Sequence, residues 1–201
     1  MASDDRSPLE GARKDPRFER ISEELAYSGV RYKMHRLTER LPDDTIADRD
    51  VLRHPGAAVV VAIDSAGQII LVEQHRSALG HNLLEVPAGL LEPGEDPQET
   101  ARRELKEETG FSPASIEPLL FLHPAPGFSD EKMYVYLAEG LDEGDQNLDE
   151  GEFVDVHRCP ADQVLSLIGS GQITDGKSVA ALLYYFTFKG ASEADGHGEK
   201  R

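Results

Sequence analysis

Apolar and polar positions first alternate at Val30, Tyr32 and Met34, which interleave with Arg31, Lys33 and His35 in the period-2 pattern of a half-buried strand. A break follows at Leu41-Pro42-Asp43-Asp44. Residues 57–63 form a short run rich in β-branched side chains, Asp64-Ser65-Ala66-Gly67 reads as a turn, and 69–72 resumes the apolar run, so two adjacent antiparallel strands are expected. Further strands are expected at 83–86, 119–122, 133–138 and 153–157. Helical spacing occupies 97–109, about 160–169 and about 176–188; the second places Val164, Leu165 and Ile168 on one side and stops at Gly169. Strands dominate the middle and helices are interspersed, which predicts an α/β protein built on a mixed sheet with helices on its faces.

The ends differ from the middle. Residues 1–20, of mixed charge and almost without large apolar side chains, read as a disordered lead, and 190–201 (GASEADGHGEKR) read as a disordered, solvated tail. Between them, 21–50 form an N-terminal strand region too short to be a stable domain, and 51–189 form the main domain. No run approaches the ~20 apolar residues that span a bilayer, and the first 20 lack a secretory hydrophobic stretch. Cys159 is the only cysteine, so no internal disulfide or zinc ribbon can form. These features predict a cytoplasmic protein without a membrane partner.

Charge changes the picture in two places. The net charge is −17, and no Lys/Arg-rich block exists to displace counterions from a nucleic acid, which argues against nucleic acid as a partner. The segment 139–155 holds eight acids and no base, while 92–108 holds seven acids against Arg102, Arg103 and Lys106. Together they carry −12 of the −17.

The second of these is a well-marked helix. Asp96 is placed to cap it, Pro97 stands at its first position, Glu99 follows three residues after the cap as in a capping box, and Gly110 is placed to end it in a left-handed conformation. Within 97–109, Glu104, Glu107 and Glu108 share one face, while Ala101 and Leu105 point toward an interior. Neighbouring like charges on a helix cost a few tenths of a kcal/mol per pair, roughly, so helix stability alone does not select this face. An ordinary solvated helix laced with ion pairs is one reading; a site for a hard divalent cation, Mg²⁺ or Mn²⁺, which prefers carboxylate oxygen, is the other. Arg103, four residues before Glu107, can pair with it and fix its rotamer.

The whole segment favours the second reading. Gly89, five residues, Glu95, seven residues, Arg103-Glu104-Leu105, one residue, Glu107-Glu108, one residue and Gly110-Phe111 place nine positions in a fixed 23-residue frame that resembles the full box of the Nudix hydrolases. The resemblance implies an α/β/α sandwich around a mixed sheet and a loop–helix–loop that holds divalent metal. It also implies cleavage of a nucleoside diphosphate linked to another group. Glu104, Glu107 and Glu108 would then be the metal ligands, with the Ala88 carbonyl as a backbone ligand, Gly89 permitting close approach, and Arg103 and Glu95 orienting the site. Metals bridging the diphosphate neutralise its charge and lower the pKa of a bound water, and a nearby carboxylate takes the proton.

Other stretches resemble the ADP-ribose pyrophosphatase group: Arg49-Asp50-Val51-Leu52-Arg53-His54-Pro55-Gly56-Ala57, Val72-Glu73-Gln74-His75-Arg76, Leu84-Glu85-Val86-Pro87-Ala88-Gly89, and Pro126-Gly127, with Pro126 fifteen residues after Phe111. By this resemblance Arg49 and Arg76 supply positive charge to the substrate phosphates, and Glu85 and Glu131 are ribose or metal-shell acceptors. Asn147-Leu148-Asp149-Glu150-Gly151-Glu152-Phe153 lies in a long acidic loop of the kind that often serves as a lid. The resemblance makes Glu150 the general base, with Glu152 next. Self-repulsion would hold that loop open until metal and substrate arrive. In the resembled group a segment like 21–50 pairs with a second subunit, so a homodimer is expected, with Tyr27 or Tyr32 near the base. The implied reaction is hydrolysis of ADP-ribose to AMP and ribose 5-phosphate. Alternatives are another nucleotide sugar such as GDP-mannose, or a nucleotide-sugar sensor without catalysis; the three intact carboxylates favour an enzyme. No G-x-x-x-x-G-K-[ST], G-x-S-x-G or H-E-x-x-H motif supports other chemistry.

Overall fold

The β-branched run becomes β4 (Ala57–Ile63), the central strand of a sheet buried on both sides. Val59 and Val61 point into one core with Ile69, Leu71, Val135 and Leu137, while Ala58, Val60 and Ala62 point into another with Ala101, Leu105, Phe111 and Tyr136. Alternation along one strand thus divides the apolar residues between two layers. The structure, a computed structural model, describes residues 15–30 and 32–189. The expected tail 190–201 and most of the expected lead lie outside the described residues.

The turn expected at 64–67 forms, with the Asp64 carboxylate accepting from Ala66 N and Gln68 N, and it returns the chain as β5 (Gln68–Arg76), antiparallel to β4. β6 (His81–Glu85) pairs with β5, and β7 (Ala88–Leu90) pairs with β4. After helix α1 (Pro97–Thr109) come β8 (Ser112–Leu122) and β9 (Met133–Asp142), with β9 parallel to β4, and then β10 (Val154–Pro160), antiparallel to β5. The strand order is β10-β5-β4-β9-β8. Helix α1 covers one face through Ala101 and Leu105; α2 (Ala161–Gly169) and α3 (Gly176–Phe188) cover the other through Val164, Ala181 and Leu182. The expected mixed sheet between helical layers is therefore present. Every expected strand of this region forms, and the short β7 adds one that three residues offer too little periodicity to reveal.

A separate unit contains residues 15–55 of the described chain together with 123–132. Its sheet runs β1 (Glu19–Ser28), β2 (Lys33–Arg40) and β3 (Ile46–Arg53), all antiparallel. Strand β1 begins inside the segment expected as an unstructured lead. Its pairing with β2 is irregular at Arg20/Ser22 and Leu25/Tyr27, and all of it but Glu19 and Arg20 lies in the strand region expected from residue 21. Leu37 is buried in this sheet, while Ile21, Leu25, Tyr27 and Ile46 are exposed.

Candidate active site

Helix α1 is fixed from both ends. Asp96 Oδ1 accepts from Gln98 N at 2.8 Å, Pro97 starts the helix, and Gly110, at φ 80°, turns the chain out of it with its N–H on Lys106 O at 2.8 Å. Glu99 is turned to solvent beside Arg102. Ala101 and Leu105 are fully buried, so the helix cannot rotate without exposing them. That leaves Glu104, Glu107 and Glu108 on the flank facing β7.

Each carboxylate meets a different environment. Glu108 is 4 % exposed, and its Oε2 accepts from Ala88 N at 3.0 Å. The Glu104 carboxylate lies directly over Gly89, where any Cβ would collide with it. Arg103 binds outward and inward at once: Nη1 donates to Glu104 Oε1 (2.7 Å) and Glu107 Oε2 (2.9 Å), Nε and Nη2 grip the two oxygens of Glu95 at 3.0 Å each, and Nη2 also reaches Leu90 O at 3.2 Å. The sequence expectation that Arg103 orients this cluster thus has a bonded counterpart. Glu95 is held down at about 2, chiefly by Arg103.

The other acids are pushed the opposite way. Burial lifts Glu104 to about 6 against the pull of Arg103, with the charges of Glu107 and Glu152 adding to the rise. Burial lifts Glu108 to about 8; the Ala88 N–H opposes this, Glu104 and Glu152 reinforce it, and Lys177 lowers it. Among the described residues no three His, Cys, Asp or Glu side chains converge as a chelating group, and Arg103 Nη1 supplies the positive charge between Glu104 and Glu107. The donor set nonetheless fits a hard divalent cation. It is all oxygen, Glu104 and Glu108 are desolvated, its acids outnumber its single arginine, and the absence of a side chain at Gly89 is what lets the Glu104 carboxylate lie against the backbone of β7.

The acidic loop is seated on the end of α1. Gly144 N donates to Gly110 O (3.0 Å), Asn147 N to Glu107 O (3.0 Å), and Gln146 Nε2 to Glu108 O (2.6 Å) and Val154 O (3.2 Å). These bonds satisfy carbonyls that a helix end leaves unpaired. A side chain on Gly110 would strike Gly144 O. The first half of the loop is therefore tied down, contrary to the expectation of a loop held open by its own charge. Glu150 is exposed; Glu152 is partly buried, and its charge bears on both Glu104 and Glu108.

A second charged group lies behind β6. Glu85 is 1 % exposed, and Arg76 grips it with Nε–Oε1 2.6 Å and Nη2–Oε2 2.5 Å. Lys177 Nζ also bonds Glu85 Oε2 and reaches Asp175 Oδ2 at 2.9 Å. Asp175 caps α3 by accepting from Ser178 N (2.9 Å) and Ser178 Oγ (2.6 Å). Lys177, Asp175, Gln146 and Asn147 were not expected from sequence. A lysine in the first turn of an otherwise apolar helix was the one available signal for this group.

The remaining candidates belong to the unit that carries β1–β3. Arg49 lies on β3, exposed, with Nη1 on Asp48 O at 3.1 Å. Pro126 and Gly127 sit in a turn closed by Phe128 N and Ser129 N on Ala125 O. Glu131 Oε1 is 3.7 Å from His54 Nε2, and Glu131 N donates to Ser129 Oγ at 3.1 Å. Asp130, not singled out in the sequence, ties the same segment to Arg53 (2.8 Å) and His54 N (2.9 Å).

The model of the NUDIX domain matches residues 52–182. A methanol dehydrogenase activator of Bacillus methanolicus is 42% identical over 166 residues, covering 82% of this chain and 90% of that protein. An ADP-ribose pyrophosphatase of Bacillus subtilis (strain 168) is 38% identical with the same coverage. In fold, the chain is similar to a solved ADP compounds hydrolase, with a TM-score of 0.78 at 21% identity over 92% of this chain and 99% of that one.

Proposed function

The chain belongs to the NUDIX domain family, and on that premise we propose that it hydrolyses the diphosphate of ADP-ribose to AMP and ribose 5-phosphate, with Mg²⁺ as the resident cation and Mn²⁺ as a substitute. The observation that carries the reading is the desolvated acid cluster of α1, with Glu104 over Gly89 and Glu108 on Ala88 N, in a chain 38% identical to an ADP-ribose pyrophosphatase over 90% of its length.

Glu104, Glu107, Glu108 and the Ala88 carbonyl would hold the cation. When bound, the cation neutralises phosphate oxygens and lowers the pKa of water. Arg103 holds Glu104 and Glu107 in place and is itself fixed by Glu95. We assign the base to Glu152 in preference to Glu150, since the charge of Glu152 is felt at both Glu104 and Glu108 and the loop before it is tied to α1. One water is consumed: its oxygen bonds to phosphorus, the bridging P–O bond breaks, and its proton passes to the carboxylate. Arg76, through the part of its guanidinium that Glu85 does not grip, would meet a substrate phosphate.

The exposed Ile21, Leu25, Tyr27 and Ile46 support a homodimer formed through the β1–β3 sheet. Among the described residues no helix is long and apolar enough to cross a membrane, and we place the enzyme in the cytoplasm. The reading is tested by identifying products from ADP-ribose and GDP-mannose in Mg²⁺. AMP and ribose 5-phosphate from ADP-ribose, at the higher kcat/KM of the two, are expected. Preference for GDP-mannose would overturn the substrate, and tight binding without hydrolysis would make the chain a sensor.

A further inference from the structure

The group around Glu85 has a form that α1 does not explain. A carboxylate 1 % exposed is divided between two cations from opposite directions, Arg76 on β5 and Lys177 on α3. Arg76 gives Glu85 its Nε and Nη2 and keeps Nη1; its side chain is 38% exposed, whereas that of Lys177 is 8% exposed. An arginine locked to one carboxylate has most of its charge cancelled there. A phosphate approaching it competes with that carboxylate, and the competition is won more readily if the carboxylate has another cation to keep it satisfied. Lys177 is that cation, and it is held in turn by Asp175.

The same turn of α3 also holds the backbone next to the cluster. Val86 N donates to Ser178 Oγ at 2.9 Å, and two residues on, Ala88 N donates to Glu108 Oε2 at 3.0 Å. The segment 85–88 is thus stitched to α3 on one side and to α1 on the other. An arginine loses rotamer entropy on binding a ligand, and a bidentate clamp removes much of that loss in advance.

We propose that Lys177 is a positioning residue for the diphosphate: by sharing Glu85 it holds Arg76 in place while leaving its Nη1 edge charged and available to a phosphate oxygen. The inference rests on the hydrolase reading above for the identity of the ligand. It extends that reading to Lys177, 92 positions from Glu85, whose own bonds go to Glu85 and Asp175.

The test is a double-mutant cycle on Arg76 and Lys177, read as Kd for ADP-ribose by calorimetry in EDTA and as KM and kcat in Mg²⁺. Lys177→Met, which keeps the buried stem and removes the charge, should raise Kd and KM about ten-fold with kcat within about three-fold, while in the Arg76→Ala background it should change Kd less than two-fold. Lys177→Arg restores the charge and should recover most of the affinity; it also serves if Lys177→Met folds poorly. A Lys177→Met protein that loses thermal stability but keeps its Kd, or one that weakens binding equally with and without Arg76, would overturn the proposal. A wild type that binds ADP-ribose without hydrolysing it would overturn the hydrolase reading and leave the cycle on Kd to decide the role of Lys177. A wild type that does not bind it would overturn both.

Discussion

Two clusters of charge, one where β5 and β6 end and one on α1, are balanced in opposite ways. Behind β6, Glu85 and Asp175 are matched by Arg76 and Lys177, and every carboxylate oxygen of Glu85 has a cationic partner. On α1, Arg103 bonds Glu104 and Glu107 but not Glu108, and two of its five hydrogen bonds go to Glu95. Burial holds Asp175 back from ionising, yet Lys177 and Ser178 outweigh it and leave it below the ordinary carboxylate range; at Glu108 burial wins and the group rises to about 8. The difference separates architecture from function. A complete ion network fixes geometry, and an incomplete one is a site with a charge still to come.

Substitutions that treat the two clusters alike should therefore give opposite results. The largest effect is expected at Glu108→Gln, with kcat/KM lower by about 10³ or more as a cation ligand is lost, while thermal stability in EDTA holds because burial already favours the neutral acid and the amide oxygen can still accept from Ala88 N. Equal activity of that variant and wild type would break the contrast. Next comes the loop. Glu152→Gln should lower kcat by about 10²–10³ and Glu150→Gln by less than ten-fold, and a reversal of that order would return the base to the residue first expected from sequence. Glu85→Gln should act mainly on stability, costing about 3 kcal/mol in urea unfolding, because two cations lose a buried partner. The smallest effect is at acid pH. The folded-state pKa of Asp175 is depressed, so its contribution is present above the unfolded value of about 4 and is lost as pH falls through the lower folded one. Asp175→Asn should flatten the loss of stability below about pH 4, as followed by denaturant midpoints between about pH 2 and 6.

What was legible in the sequence follows the range of the interaction. Helix α1 carries its own punctuation in Asp96, Pro97 and Gly110, and the i, i+3 and i, i+4 spacing of its glutamates fixes their common face without reference to the rest of the chain. Strands β4 and β5 were legible because both faces are buried and the residues are β-branched. Strand β1 was legible only as part of the strand region expected from residue 21, since Glu23 takes the apolar place between Ile21 and Leu25 and its first two residues are charged. Contacts between distant segments were out of reach. Gln146 reaches Glu108 O across 38 residues, and Lys177 reaches Glu85 across 92, and neither pairing leaves a mark in the local pattern. The loop was expected to repel itself open because its charge is visible in sequence while the amide groups that tie it to α1 look like ordinary polar residues.

The contrast reduces to one measurable property, the affinity of the α1 cluster for a divalent cation. Titration calorimetry with Mn²⁺ should give saturable binding to the wild type, little change in Glu150→Gln, and loss in Glu104→Gln and Glu108→Gln proteins that remain folded. Undiminished Mn²⁺ binding by both of those last variants would contradict the account.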